Sequence, residues 1–192
     1  MGMSKILIYP NKILREKVAV VDKIDEKLLE QMEKLRKKLE IGENAAGLAA
    51  PQIGVSKRFF GIKEMAVGAS HASPVQIFIN PRIVKVFGER VYPKLVADDG
   101  KNQDFLEGCL SFPDFFGTVK RYLKIEVEWE ELKGEKLVSK TKELTGFEAI
   151  VWQHESDHLE GILFVDYIKN EGGKFFKWDG EKMVKWEIEK II

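Results

Sequence analysis

Trp152-Gln153-His154-Glu155-Ser156-Asp157-His158-Leu159-Glu160-Gly161 is the stretch on which the reading of this chain turns. It holds H-E-x-x-H, two imidazoles four residues apart with a carboxylate beside the first. On a helix, i and i+4 side chains stand on one face, so His154 and His158 can reach one metal ion. Glu155 then points close to any water that ion holds. The spacing predicts a helix over 147–159, stopped at Gly161. The third histidine of the chain, His71, lies in a segment rich in Gly, Ala and Ser and reads as a surface loop residue rather than a ligand. H-E-x-x-H also arises by chance with both rings solvated, so the rest of the chain has to decide.

Working outward, the bulk properties narrow the class. At 192 residues, with 44% hydrophobic and 32% charged, the chain has the balance of a soluble globular protein. No internal repeat or long linker divides it, which predicts a single domain over 1–192. Lys+Arg and Asp+Glu each count 31, so bulk electrostatics give no support for a nucleic-acid binder. Cys109 is the single cysteine, which excludes an intrachain disulfide partner and fits a reducing compartment. No apolar run is long enough for a signal peptide or a membrane span. The expected location is the cytoplasm.

Leu28, Met32, Leu35 and Leu39 repeat at helical spacing, so a helix is expected over 25–39, capped by Asp25 and ended by Gly42. Strands are expected at 58–62, 75–79 (closed by Asn80-Pro81), 83–87, 89–92, 122–129, 136–141 and 162–165. The 95–104 segment reads as an exposed polar loop. Val184, Ile188 and Ile191 suit a short amphipathic helix in a tail from about residue 181, docked by Trp178 and Trp186.

A catalytic metal site commonly has three protein ligands and an open fourth position. His154 and His158 supply two. Cys109, at a turn after Gly108, is the obvious candidate for the third, although a buried lone cysteine is more often a small hydrophobe. On their ligand face Phe147, Ile150 and Val151 precede His154 by seven, four and three residues. They are core residues or a pocket wall, and the two readings are compatible.

Three blocks in order, Gly47-Leu48-Ala49-Ala50-Pro51-Gln52, Glu107-Gly108-Cys109-Leu110-Ser111 and Gln153-His154-Glu155-Ser156-Asp157-His158-Leu159, resemble the peptide deformylase family. The resemblance spans about residues 9–166 and includes Asn80-Pro81, Arg121, Gly161 and Leu163-Phe164. It implies an α+β fold of mixed, mostly antiparallel strands packed around the H-E-x-x-H helix. It also implies a hydrolase that removes the N-formyl group from the first methionine of N-formylmethionyl nascent peptides. Cys109, His154 and His158 would hold one divalent metal ion, natively Fe(2+), with Zn, Ni or Co able to replace it. Glu155 would shuttle the proton, and the Gln52 amide and the Leu110 N–H would stabilise the oxyanion. Phe147, Ile150 and Val151 would wall the methionine pocket. The peptide backbone would run as an added strand near Ala46, Gly47 and Gly108.

The chain departs from the family pattern at Ala45 and Ala46, where Gly and Ile or Val are usual, and at Phe116, where some members carry arginine. Ser156 fills a position that is often apolar. Lys182, Lys185 and Lys190 suggest a transient ribosome contact. Two other classes share part of the pattern. An H-E-x-x-H zinc endopeptidase would need a later His or Glu ligand, and no histidine follows His158. A non-catalytic metal-binding module would not need Glu155 or Gln52.

Overall fold

The structure, a computed structural model, describes residues 5–42, 45–64, 74–96, 100–134 and 136–192. His71 and the tip of the 95–104 segment lie outside them. Helix α1 (Glu26–Ile41) forms as its apolar spacing predicts: the Asp25 carboxylate accepts from Leu28 N at 2.8 Å, and Leu28, Met32, Leu35 and Leu39 form the buried stripe. There follow β1 (Gly47–Ala49), a 3-10 turn (Ala50–Ile53), β2 (Phe59–Lys63) and β3 (Val75–Phe87). The middle of the chain holds β4 (Lys94–Val96), β5 (Asn102–Asp104), β6 (Glu107–Cys109), β7 (Phe112–Gly117), β8 (Lys124–Lys133) and β9 (Lys136–Thr145). Last come α2 (Gly146–Leu159), α3 (Phe164–Glu171), β10 (Phe175–Trp178) and β11 (Met183–Lys185).

The strands build an antiparallel five-stranded sheet, β1-β2-β3-β8-β9, a four-stranded sheet, β11-β10-β7-β6, and the β4-β5 hairpin. Alternation along the strands assigns the faces of the larger sheet. Phe59 and Ile79, which pair, point toward α1, whereas their neighbours Phe60 and Phe78, also paired, point toward α2. Trp152 of α2 is the centre of the second core. It meets Phe60, Phe78 and Trp129 edge-on at 5.0, 4.6 and 5.7 Å. A third apolar cluster, including Phe112, Phe164, Ile168 and Phe175, lies between the smaller sheet and α3. Helix α2 is thus enclosed on several sides, and its residues from Ala149 to Trp152 are all buried. The α+β class and the central helix are as expected.

Several local expectations fail for physical reasons. Asn80-Pro81 does not end a strand, because β3 runs through it. Asn80 adopts φ 49°, the register to β8 shifts there, and its side-chain amide bonds both N and O of Val21 at 2.8 Å. A bulge admits proline without losing a ladder bond. The 89–92 strand reduces to one bridge between Val91 and Arg121. The polar 95–104 segment is the β4-β5 hairpin, held by the Lys94–Asp104 ion pair. The strand expected at 162–165 is instead the start of α3, where the Asp166 carboxylate accepts from Leu163 N at 2.8 Å and Phe164, Val165 and Ile168 turn inward. The tail is a strand, β11, and a single 3-10 turn at Ile188–Lys190 rather than an amphipathic helix. Its Trp186 packs on the third cluster, while Trp178 stays 39% exposed.

Candidate metal centre

Three distant pieces of sequence converge at one end of α2. Strand β6 ends at Cys109, α2 carries His154, Glu155 and His158, and the 3-10 turn after β1 carries Gln52. The donor atoms of Cys109, His154 and His158 all lie within 4.8 Å of one another, with Cys109 Sγ 3.3 Å from His158 Nε2. Metal–sulfur and metal–nitrogen bonds of about 2.3 and 2.0–2.1 Å put donors of one tetrahedral ion about 3.5 Å apart. One thiolate and two imidazoles in this arrangement fit a divalent transition ion rather than Mg or Ca.

Their surroundings push the two histidines in opposite directions. Burial disfavours charge on His154, but Cys109 and Glu107 outweigh it and raise its pKa well above the ordinary value. Burial, then the charge of His154, push His158 well below it.

Around these donors the side chains are fixed by hydrogen bonds. Glu107 Oε2 lies 3.0 Å from His154 Nδ1, which sets the ring so that Nε2 faces the site. Arg121 clamps Glu107 from below with two bonds of 2.7 and 2.9 Å and reaches Asp157 at 2.6 Å. Burial opposes ionisation of Glu107, but Arg121 and then His154 hold its carboxyl down at about 2. Tyr167 donates to the other Asp157 oxygen at 3.1 Å. The Gln52 carbonyl accepts from Ala49 N at 2.8 Å, which turns its NH2 toward Cys109 Sγ at 3.5 Å and Ser111 Oγ at 3.2 Å.

Glu155 lies directly over Gly47. A Cβ built there would come within 2.5 Å of Glu155 Oε1, so only glycine lets β1 pass this close. The carboxyl is 4% exposed, and burial pushes its pKa up to about 7 against the pull of His154. A cavity of about 520 Å³ opens in front of these groups, and its lining includes Ala46, Gly47, Gln52, Gly108, Cys109, Leu110, His154 and Glu155. Ile150 and Val151 line it as buried residues and Phe147 as a partly exposed one at its mouth. His158, 2% exposed, stands behind this wall. A larger cavity of about 740 Å³ beside α1 has no cysteine or histidine in its lining among the described residues.

Comparison with known proteins decides the family. The polypeptide deformylase family model matches residues 3–174. The peptide deformylase of Thermotoga maritima is 36% identical over 166 residues, 86% of this chain and 87% of its own length. Peptide deformylase 2 of Clostridium acetobutylicum is 35% identical over 168 residues, 88% and 97% of the two chains. The crystal structure of the T. maritima protein superposes with a TM-score of 0.68 at 34% identity, over 87% of this chain and 98% of that one. A plant peptide deformylase structure gives 0.71 at 29% identity, over 89% and 83%. The chain belongs to the polypeptide deformylase family.

The residues expected as ligands, catalytic groups and pocket wall lie together here: Cys109, His154 and His158 as one cluster, and the others along the cavity. Other groups were missed. Asp157 and Tyr167 extend the Glu107–Arg121 pair into a chain of four, and Phe105, Phe115 and Ala45 also line the cavity. One signal for Asp157 was available: its place one turn along from His154 sets it on a buried helix, where a charge needs a partner. The family match ends at Lys174, so β10 and β11 lie beyond it.

Proposed function

We propose that the chain is a metal-dependent deformylase that hydrolyses the formyl amide at the N-terminal methionine of new polypeptides, releasing formate. The observation that carries this reading is the joint placement of a thiol and two imidazoles within 4.8 Å, a buried carboxyl beside them, and an amide donor turned toward them.

Cys109, His154 and His158 are the residues that would hold the ion. Bound there, a divalent ion supplies Lewis acidity, which makes water acidic enough to deprotonate near neutral pH. Thiolate donation suits Fe, Co, Ni or Zn rather than Mg or Ca, and the family resemblance favours Fe(2+) as the native ion. Glu155 accepts a proton from the attacking water as its oxygen bonds to the formyl carbon. Its pKa of about 7 keeps both forms accessible at working pH. Negative charge then builds on the formyl oxygen, where Gln52 Nε2 and the Leu110 N–H act as donors already held in place. The C–N bond breaks, Glu155 returns the proton to the leaving nitrogen, and formate and a free amino terminus depart. Phe147, Ile150 and Val151 receive the methionine side chain. Ala46, Gly47 and Gly108 border the peptide backbone, which pairs along the β6 edge.

Protein loaded anaerobically with Fe(II) or Ni(II) is expected to release formate from formyl-Met-Ala, and Glu155→Ala to abolish the release while retaining metal. A metal-loaded protein without formate release would overturn the reading. A transient ribosome contact belongs to the same reading, carried by Lys182, Lys185 and Lys190, all exposed. Unchanged co-sedimentation with ribosomes after Lys182→Glu/Lys185→Glu would remove it.

A further inference from the structure

The smaller sheet has one covered face and one open face, and the open one begins at the wall of the cavity. Residues paired across neighbouring strands share a face. Phe115 pairs with Lys177, and the Phe115 ring stacks on Phe175 at 5.5 Å within the third apolar cluster, which also receives Trp186. That is the covered face. Gly108, Phe116, Phe176 and Lys185 pair in one row on the opposite face, and Trp178 pairs with Met183 two positions further along β10. The Phe116 ring lies over Gly108, where a Cβ would come within 2.7 Å of it, and both residues line the cavity.

Beyond Phe116 the face is apolar and uncovered. Trp178 and Met183 are each 39% exposed, and Phe116 and Phe176 are half-buried. Among the described residues none of these four belongs to an apolar core cluster. Exposed apolar side chains gathered on one face mark a contact surface. Phe176, Trp178, Met183 and Lys185 all lie past residue 174, where the family match ends.

The geometry points to a distal docking track for the substrate polypeptide itself, over Phe116, Phe176, Trp178 and Met183. This rests on the deformylase reading. A chain whose first residue is held in the cavity presents its later residues to this face at millimolar effective concentration, so weak apolar contacts suffice to lower KM. An independent partner would lack that tether. The track therefore selects formylated chains with large apolar residues downstream of the first few positions.

The test uses the full chain loaded with Ni(II), formyl-Met-Ala, and two formylated octapeptides that share their first three residues. One continues with Leu and Phe, the other with Ser and Gly. The apolar octapeptide is expected to have a KM about fivefold lower, the scale of one partly buried aromatic contact. Trp178→Ser/Met183→Ser should erase that difference and leave formyl-Met-Ala kinetics unchanged. Equal KM for the two octapeptides overturns the proposal, as does a variant that slows all three substrates alike. A dimer in sedimentation that the variant splits, with KM values untouched, assigns the face to a second copy and also overturns it. Failure to turn over formyl-Met-Ala counts against the deformylase reading instead. The track is then judged by equilibrium binding of the two octapeptides, where equal affinity overturns it.

Discussion

Helices α1 and α2 do opposite work in this fold. Helix α1 buries one stripe, Leu28, Met32, Leu35 and Leu39, and leaves its charges in water, where Lys34 and Glu30 pair at 49% and 53% exposure. Helix α2 has no such division. From Ala149 to Leu159 most of its positions are buried, polar ones included, and Gln153, Glu155, Ser156 and His158 are each 9% exposed or less. A helix with a wet face can carry charges cheaply, whereas every polar group of an enclosed helix needs a partner or a function. The difference teaches where to look for chemistry: on the helix whose polar residues could not have been placed there for solubility.

The largest test of that contrast removes a partner beneath α2. Arg121 is 3% exposed and satisfies Glu107 and Asp157 together. Arg121→Ala leaves Glu107 and Asp157 without a counter-cation and should cost about 3–5 kcal/mol in urea unfolding, with loss of metal affinity through His154. Restoring part of the stability with Arg121→Ala/Glu107→Gln would tie the cost to the stranded charge. A cost below about 1 kcal/mol would mean that the network is not what holds α2 in place.

Helix α1 offers the counterpart. Leu35 is fully buried, and Leu35→Ala should cost about 2–4 kcal/mol by cavity formation, with kcat unchanged once the protein is folded. A fall in kcat at full folding would show that α1 reaches the site and would blur the contrast. Gly47→Ala sharpens it from the other side. The new methyl meets Glu155 and has no room to sit beside it, so kcat should fall about a hundredfold while the unfolding midpoint moves little. Unaltered kcat would show that Glu155 does not need its present position.

What the sequence revealed follows the same division. Helix α1 was legible to its caps because one-sided burial writes a period into the chain. Helix α2 was legible through its motif, since an all-round buried helix has no polar face for a period to register. Cys109, His154 and His158 could be read as donors by residue type, whereas Gln52 and the Leu110 N–H entered only through the family resemblance. Asp157 and Tyr167 stayed hidden because their importance lies in whom they face, and Arg121 reaches them from 36 residues away at its nearer contact. The β4-β5 hairpin was missed because its strands are exposed and carry no apolar alternation. The onset of α3 was misread because Ile162-Leu163-Phe164-Val165 is an apolar run too short for its period to tell strand from helix.

Ser156 is the smallest test, and with Trp152, whose indole Nε1 is also without a partner among the described residues, it breaks the pairing rule on α2. It is 9% exposed, and its hydroxyl has no hydrogen-bond partner among the described residues. A buried hydroxyl without a partner costs about 1–3 kcal/mol of desolvation, and serine is also a slightly poorer helix former than alanine. Ser156→Ala should therefore raise the unfolding free energy by about 1 kcal/mol, read as a shift of the urea midpoint at constant slope. The sign is what matters. A destabilised variant would mean that the hydroxyl is satisfied by an ordered water or by the carbonyl one turn back, and that α2 follows its rule at this position.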